Sequence, residues 1–253
     1  MMTGPGTNTY LLGENQVAVL DPGPDDAKHL DAILAAAGAP IRWVVCTHTH
    51  RDHSPLAAEL ARRTGAAVIG LPPPDDGRQD ESFAPEHRPR DGEVLALGDI
   101  ELTAIHTPGH ASNCVCYLVA RERLLLTGDH VLEGVSPVIL PPDGSMGAYL
   151  KSIDKLFAYD FEKIAPGHGD VMGEGKKMLE ALRAHRLARE DKVLRNLAKP
   201  GSWNLDALIP LVYDDVSSDR HSWARLTLQA HLIKLEQEGR VAELNGIWRI
   251  QKA

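Results

Sequence analysis

Between residues 44 and 65 the chain reads VVCTHTHRDHSPLAAELARRTG, and His48, His50, Asp52 and His53 fall within six positions directly after an apolar run. Imidazoles and carboxylates crowded against a core are costly to bury unless something binds them, and the ligand their chemistry suits best is a metal ion. Three further apolar runs end the same way: LTAIHTPG leads to His110, LLLTG to Asp129 and KIAPG to His168. Four strand ends thus deliver seven candidate ligands, five histidines and two aspartates. One catalytic zinc takes three protein ligands and a water, so this set is sized for two ions sharing a carboxylate. Asp129 stands alone on its turn and is the natural bridge. Two such ions would lower the pKa of a shared water to about 7 and hold a bridging hydroxide as nucleophile. The chemistry is hydrolysis.

Residues so far apart in sequence meet only if the strands before them lie side by side and release them at their carboxyl ends, as in open α/β sheets. The chain reads that way. Up to about residue 172 it alternates short apolar runs with turns, and TYLL, QVAVLDPG, IRWVVCT, EVLALGD, IELTAIHTPGH, CVCYLVA, RLLLTGDH and FEKIAPGHG read as strands. DAKHLDAILAAAG places Leu30, Ile33, Leu34 and Ala37 at helical spacing and stops at Gly38. After the histidine cluster, Ser54 is expected to cap a helix that begins at Pro55, buries Leu56, Ala57, Leu60 and Ala61, and ends at Gly65. The cluster therefore occupies a strand-to-helix loop. Gly109, Gly128 and Gly167 precede three of the candidate ligands and permit tight turns. Residues 72–92 are polar and proline-rich without a period, and read as a long surface loop bordering a substrate cleft.

From about residue 175 the texture changes. A long helix, EGKKMLEALRAHRLAREDKVLRNLAK, is stopped by Pro200-Gly201; NLDALIPLVYDDV and HSWARLTLQAHLIKLEQEG read as two more, and Asn245-Gly246 marks a final hairpin. Helices followed by a hairpin are the order of a winged helix, a helix-turn-helix variant. Charge divides at the same place: residues 1–175 carry 13 Lys and Arg against 25 Asp and Glu, residues 176–253 carry 14 against 10. The expected division is a catalytic domain over 1–174 and a winged-helix-like domain over 175–253. The acidic catalytic part opposes a polyanion. The third tail helix has only Arg225 and Lys234 as basic residues against two glutamates, so nucleic acid is the less favoured partner and a small molecule the favoured one. Arg183, Arg186 and Arg189 read as a solvated face within reach of an anionic part of a substrate.

With 43% hydrophobic and 25% charged residues the chain is globular in composition, and it has no apolar run long enough to span a membrane. The N-terminal MMTGPGTNTYLLGENQ shows no targeting pattern, so a cytoplasmic protein is expected. Cys46, Cys114 and Cys116 sit in apolar runs as small buried hydrophobes.

The stretch THTHRDH looks like the HxHxDH signature of the metallo-β-lactamase superfamily, and His110, Asp129 and His168 follow in that family's order. The match spans residues 1–172. The early TNTYLL and the winged-helix-like tail further resemble the β-lactamase-like 2 group. The resemblance implies an α/β (α+β) chain built as an αββα four-layer sandwich. It implies one metal on His48, His50 and His110, a second on Asp52, His53 and His168, and Asp129 between them, with Asp52 and Asp129 as catalytic residues. Zinc, two per chain, is the expected metal, with iron or manganese as alternatives. True β-lactamases of the superfamily generally lack the bridging aspartate, so a small ester or thioester is the expected substrate. A single-strand endoribonuclease is the alternative, followed by a mono-iron persulfide dioxygenase and by a nucleic-acid-binding regulator with a vestigial hydrolase domain. Asp21 in LDPG is expected to serve a turn or support a ligand. His106 and His130 flank ligands and read as supports or near-core residues, while His29, His87, His185, His221 and His231 read as solvated or structural.

Overall fold

The strand Val17–Leu20 is buried on both faces, with Val17 and Val19 in one apolar cluster and Ala18 and Leu20 in another. A strand achieves that only between two covering layers. In the computed structural model, which describes residues 6–251, it is the second of four strands ordered β1 (Tyr10–Leu12), β2 (Val17–Leu20), β3 (Ile41–Val45) and β4 (Ala67–Ile69). Residues 1–5, part of the stretch that shows no targeting pattern, lie outside the described residues. β1 joins β2 antiparallel, whereas β2, β3 and β4 run parallel and need crossovers. Helices α1 (Ala27–Ala36) and α2 (Leu56–Thr64) supply them. Their apolar faces, Leu30, Ile33, Leu56, Ala57 and Leu60, cover Val17, Val19 and Val44.

The second sheet is ordered β5 (Val94–Leu97), β6 (Ile100–His106), β7 (Val115–Val119), β8 (Leu124–Gly128) and β9 (Lys163–Pro166). β7 shows how it is covered. Val115, Tyr117 and Val119 face the first sheet, while Cys116 and Leu118 face outward onto α3 (Met146–Leu156). The layers are therefore helix, sheet, sheet, helix, the expected αββα sandwich.

The tail consists of α4 (Gly175–Leu197), α5 (Leu205–Val212), α6 (His221–Gln237) and the hairpin β10 (Val241–Leu244) and β11 (Ile247–Ile250). Asn245 and Gly246 take φ of +52° and +79°, the left-handed pair that a two-residue hairpin turn demands. α4 belongs to both parts: Leu179 lies in the cluster against α3, and Val193 and Leu197 lie in the core of the tail. α6 also reaches the α3 cluster through Ala230.

Three expectations are corrected. Among the strand-like runs beyond the 72–92 loop stands a helix that the sequence reading does not include: α3 forms there, with helical spacing at Met146, Tyr149, Leu150, Ile153 and Leu156 and a Ser145 cap. Ser54 does not cap α2; its hydroxyl donates to Asp80 at 2.7 Å, and Pro55 occupies the cap position. The arginines of α4 are not a solvated face. Arg186 and Arg189 are 4% and 7% exposed, because α5, α6 and the 131–145 segment close around the helix; Arg189 makes a two-pronged bond to Asp215, and Arg183 pairs with Asp154 at 2.6 Å. Arg186 and Arg189 are thereby committed within the protein, while Arg183, its side chain 43% exposed, alone of the three keeps the solvated position expected.

Candidate metal centre

Parallel pairing of β2 with β3 places the residue after β2 beside the loop after β3. That residue is Asp21, fully buried, with a left-handed φ of +51°. Its carboxylate accepts from the Thr47 backbone N–H at 2.7 Å, the Thr47 hydroxyl at 2.8 Å and His53 Nδ1–H at 3.0 Å. Asp21 thus serves both roles expected of it, turning the chain and holding a candidate ligand. Each buried donor left unpaired costs about 1–3 kcal/mol. Asp21→Ala is accordingly expected to lower unfolding free energy by roughly 3 kcal/mol or more in denaturant titration.

The other strand ends converge through close approaches. A Cβ on Gly109, whose φ is +154°, would stand 2.4 Å from Tyr149 Cα, so only glycine lets His110 turn in over α3. A Cβ on Gly167 would stand 2.5 Å from Asp129 Oδ1 and 2.7 Å from His53 Cε1.

All seven candidate residues come together. His48 Nε2 lies 3.0 Å from His50 Nδ1, which lies 2.9 Å from His110 Nε2. Beside this triangle, Asp52 Oδ2 is 3.2 Å from His168 Nε2 and 3.8 Å from His53 Nε2. Asp129 faces both groups, with Oδ1 3.3 Å from His53 Nε2 and 3.4 Å from His168 Nε2, and Oδ2 3.7 Å from His110 Nε2. Among the described residues, the sets His48–His50–His110, His48–His53–Asp129 and Asp52–His53–His168 each bring three ligand atoms within 4.8 Å of one another.

The hydrogen bonds around the rim determine which ring atom points inward. His110 Nδ1–H donates to Val138 O at 2.7 Å, His168 Nδ1–H to Gly6 O at 2.9 Å, and His53 Nδ1–H to Asp21. Thr47 Oγ1, whose own proton goes to Asp21, can accept from His48 Nδ1–H at 3.0 Å. Four rings thereby turn Nε2 towards the centre, where it can ligate a cation once any proton on it is displaced. The triangle of His48, His50 and His110 then has three nitrogens and at most one proton among them. Their mutual contacts cannot all be hydrogen bonds, and a cation at the centre removes the conflict. His53 Nε2 and Asp129 Oδ1 are buried without a hydrogen-bond partner at the second position. The donor set, imidazole with carboxylate, fits zinc and other first-row divalent ions.

Charge follows the same arrangement. Burial opposes a charge on His53, but the Asp129 and Asp21 carboxylates lift its pKa well above the usual histidine range. His168, also disfavoured by burial, is raised to about 10 by the Asp129 and Asp52 carboxylates, 3.4 and 3.2 Å from its Nε2. Burial and the neighbouring His110 push His50 down to about 3. A cation must therefore displace protons from the His168 side but not from His50. Binding is expected to release at least one proton per chain at pH 7, and affinity should strengthen as pH rises from 6 towards 9. Titration in weakly buffered solution with a pH indicator measures this directly.

The loop 72–92 is pinned to the site. Thr49 Oγ1 donates to Gln79 Oε1 at 2.6 Å, and Asn113 Nδ2 donates to Thr49 Oγ1 at 2.6 Å and to Pro72 O at 3.1 Å. Its far contacts run to residues 141–143, through Arg78 to Pro141 O and Gln79 to Asp143, rather than to the tail. An open cleft of about 390 Å³ is lined by Asp25, Arg51, Pro55, Gln79, Asp80 and Glu81, with none of the seven candidate ligands in its wall. His106 bonds to Pro89 O, His29 to Thr9 and His87 to Glu93, all away from the centre. His130 and His231 are fully buried, with all four ring nitrogens unpartnered by the protein, and burial pushes them to about 3 and about 4. Burial likewise raises the thiols of Cys46, Cys114 and Cys116, the last to about 12, as expected of inert core cysteines. Sequence reasoning missed the rim acceptors Val138 and Gly6, whose backbone oxygens carry no residue-type signal.

Residues 2–168 match the family model of the metallo-beta-lactamase superfamily, and residues 205–248 that of the beta-lactamase associated winged helix domain. A beta-lactamase-like protein 2 homolog of Drosophila melanogaster is 30% identical, over 95% of this chain and 85% of that protein. An atrochrysone carboxyl ACP thioesterase of Emericella nidulans is 30% identical over 77% of this chain and 61% of its own length. The crystal structure of a metallo-beta-lactamase family protein from Thermus thermophilus superposes with a TM-score of 0.80 at 24% identity, covering 96% of this chain and 93% of that one.

Proposed function

This chain belongs to the metallo-beta-lactamase superfamily and is a metal-dependent hydrolase, and from that premise we propose that it holds two metal ions, zinc in the first instance, and cleaves a small ester or thioester. One observation carries the reading: seven side chains from four strand ends converge, with four imidazoles fixed by rim acceptors so that their Nε2 atoms face inward. His48, His50 and His110 would hold one ion and Asp52, His53 and His168 the other, with Asp129 shared. Two such ions supply a hydroxide nucleophile at neutral pH and polarise the oxygen of the bond attacked.

The chain's own residues do the rest. Burial opposes a charge on Asp129, but His53 and His168 hold its carboxyl well below the usual carboxylate range, so it remains an anion between the two groups. Asp52, partly exposed and held low by His168 against the effect of burial, is the carboxylate of the set best able to exchange a proton with solvent and to pass one to a leaving group. Asp21 and Thr47 keep His53 and His48 oriented. We assign residues 1–174 to the catalytic domain and 175–253 to the tail.

The acyl substrate is supported by the acidic charge of residues 1–175 and by relatives named as thioesterases. The single-strand endoribonuclease reading draws on the winged helix. Against it, the basic residues of α6 are engaged within the protein, Arg225 with Asp206 and Lys234 with Glu190 and Glu238. The test is a panel of a thioester, an ester, a lactone and single-stranded RNA, run on zinc-loaded and chelator-treated protein with elemental analysis of the metal. Acyl hydrolysis that exceeds RNA cleavage and disappears on chelation is expected. Salt-sensitive RNA cleavage with every acyl substrate inert would transfer the assignment to the nuclease, and one iron with oxygen consumption would transfer it to the dioxygenase.

A further inference from the structure

Between β8 and α3 the chain crosses residues 129–145 without regular structure. The middle of that stretch serves His110, because Val138 O is the acceptor for Nδ1–H at 2.7 Å. A carbonyl in a loop fixes an imidazole only if the loop itself is fixed. Here the neighbours of Val138 are both held by the tail. Arg186 of α4 donates from Nη2 to Pro137 O, and Thr227 of α6 accepts at Oγ1 from Ile139 N–H at 3.4 Å. Both side chains are buried, at 4% and 5% exposure, and Pro137 and Ile139 are buried with them.

The guanidinium has a second route to the same ligand. Its Cζ lies 5.2 Å from the centre of the Tyr149 ring, and Tyr149 forms the surface on which Gly109 turns His110 inward. Among the described residues no carboxylate bonds to Arg186, and its Nε has no hydrogen-bond partner. Burying a cation without a counterion is unfavourable for stability alone. The position makes sense if it organises something else.

We propose that Arg186 and Thr227 are positioning residues through which the tail holds His110 in its ligating orientation. The inference rests on the two-metal reading for what His110 does, but not for the contact network itself. The tail clamps Pro137 and Ile139, the clamp aims Val138 O, and the carbonyl keeps the His110 proton on Nδ1 and its lone pair on Nε2. The winged-helix tail is on this account part of the metal centre's scaffold.

The test uses the full chain with Thr227→Val, Thr227→Ser and Arg186→Met. Valine keeps the shape of threonine without the acceptor, serine keeps the acceptor, and methionine keeps much of the arginine stem without the donor. Circular dichroism and thermal unfolding establish that each variant is folded. Two readouts follow. In chelator-treated protein, ¹H–¹⁵N NMR of labelled histidine follows the His110 Nδ1–H; its exchange is expected to accelerate about tenfold in Thr227→Val and Arg186→Met and to stay unchanged in Thr227→Ser. In zinc competition against a chromophoric chelator, one of the two ions is expected to bind roughly tenfold more weakly in the same two variants, the low end for loss of outer-shell support, while the other keeps its affinity. Folded Thr227→Val and Arg186→Met proteins with unchanged His110 exchange and unchanged zinc affinity would overturn the proposal. If Arg186→Met does not fold, Thr227→Val decides. If the wild type takes up no zinc, the two-metal reading fails, and the NMR result still decides whether the tail fixes His110.

Discussion

Asp129→Ala is expected to reduce bound metal from two ions to fewer than one per chain and to lower acyl hydrolysis by about three powers of ten or more. Among the described residues Asp129 alone directs one carboxylate oxygen towards His53 and His168 and the other towards His110. It is also a buried carboxylate, at 8% exposure, standing between the two groups of imidazoles. Its removal takes a ligand from both proposed ions and leaves the centre short of the anion that balances them. Metal ions contribute several kcal/mol to transition-state charge stabilisation, and each 1.36 kcal/mol is a factor of ten in rate, which sets the expected loss. Asp129→Asn keeps the shape and one ligating oxygen, so it should retain more metal than alanine while losing most turnover. The checks are elemental analysis after dialysis and initial rates on whichever substrate of the acyl panel the wild type cleaves fastest. An alanine variant with full metal content and ordinary rates would remove Asp129 from the centre and with it the case for a shared carboxylate.

The candidate ligand set is legible in the sequence because each member follows an apolar run closed by turn residues, and His48, His50, Asp52 and His53 are too dense for a solvated loop. Strands buried on both faces, such as Val17–Leu20 and Val115–Val119, are equally legible as unbroken apolar runs. What is not legible is set by contacts across long sequence separations. Whether a histidine presents Nδ1 or Nε2 depends on its acceptor: His110 turns on Val138 and His168 on Gly6, 28 and 162 residues away. The α4 arginines illustrate the same limit. Three-residue spacing puts Arg183, Arg186 and Arg189 on neighbouring positions of one helix face, and such a face is usually solvated. Here α5, α6 and the 131–145 segment pack around it, and no local pattern announces that. α3 escapes the sequence reading for a different reason. It follows an irregular stretch in which Val131, Val138 and Ile139 are scattered without a period, so the helical spacing that starts at Met146 has no strand boundary before it.

Deleting residues 175–253 is expected to leave a chain that does not fold cooperatively, although the signature motif and all seven candidate ligands remain in it. The outer face of the second sheet is closed by α3, and α3 is in turn covered by the tail. Leu179 and Ala230 are part of the same buried cluster as Ile139, Met146, Tyr149, Ile153 and Leu156, with Met178, Leu182 and Leu187 packed at its edge. Exposing large apolar side chains costs about 1.5–3 kcal/mol for each one fully uncovered. Uncovering even half of this cluster therefore forfeits on the order of 5–10 kcal/mol, comparable to the entire stability of an ordinary domain. The loss should appear as a flat denaturant titration, aggregation in gel filtration and no stoichiometric metal, whereas the full chain gives one cooperative transition. Duplex DNA separates this account from its rival, because the α6 basic side chains are engaged in ion pairs within the protein and should support only weak, nonspecific association. Tight, salt-dependent duplex binding by the full chain, together with a truncated protein that folds, binds metal and turns over normally, would make the tail a separate DNA reader. The buried contacts of α4 and α6 with the 137–139 segment argue the other way: in this chain the winged helix is built into the support of the site it adjoins.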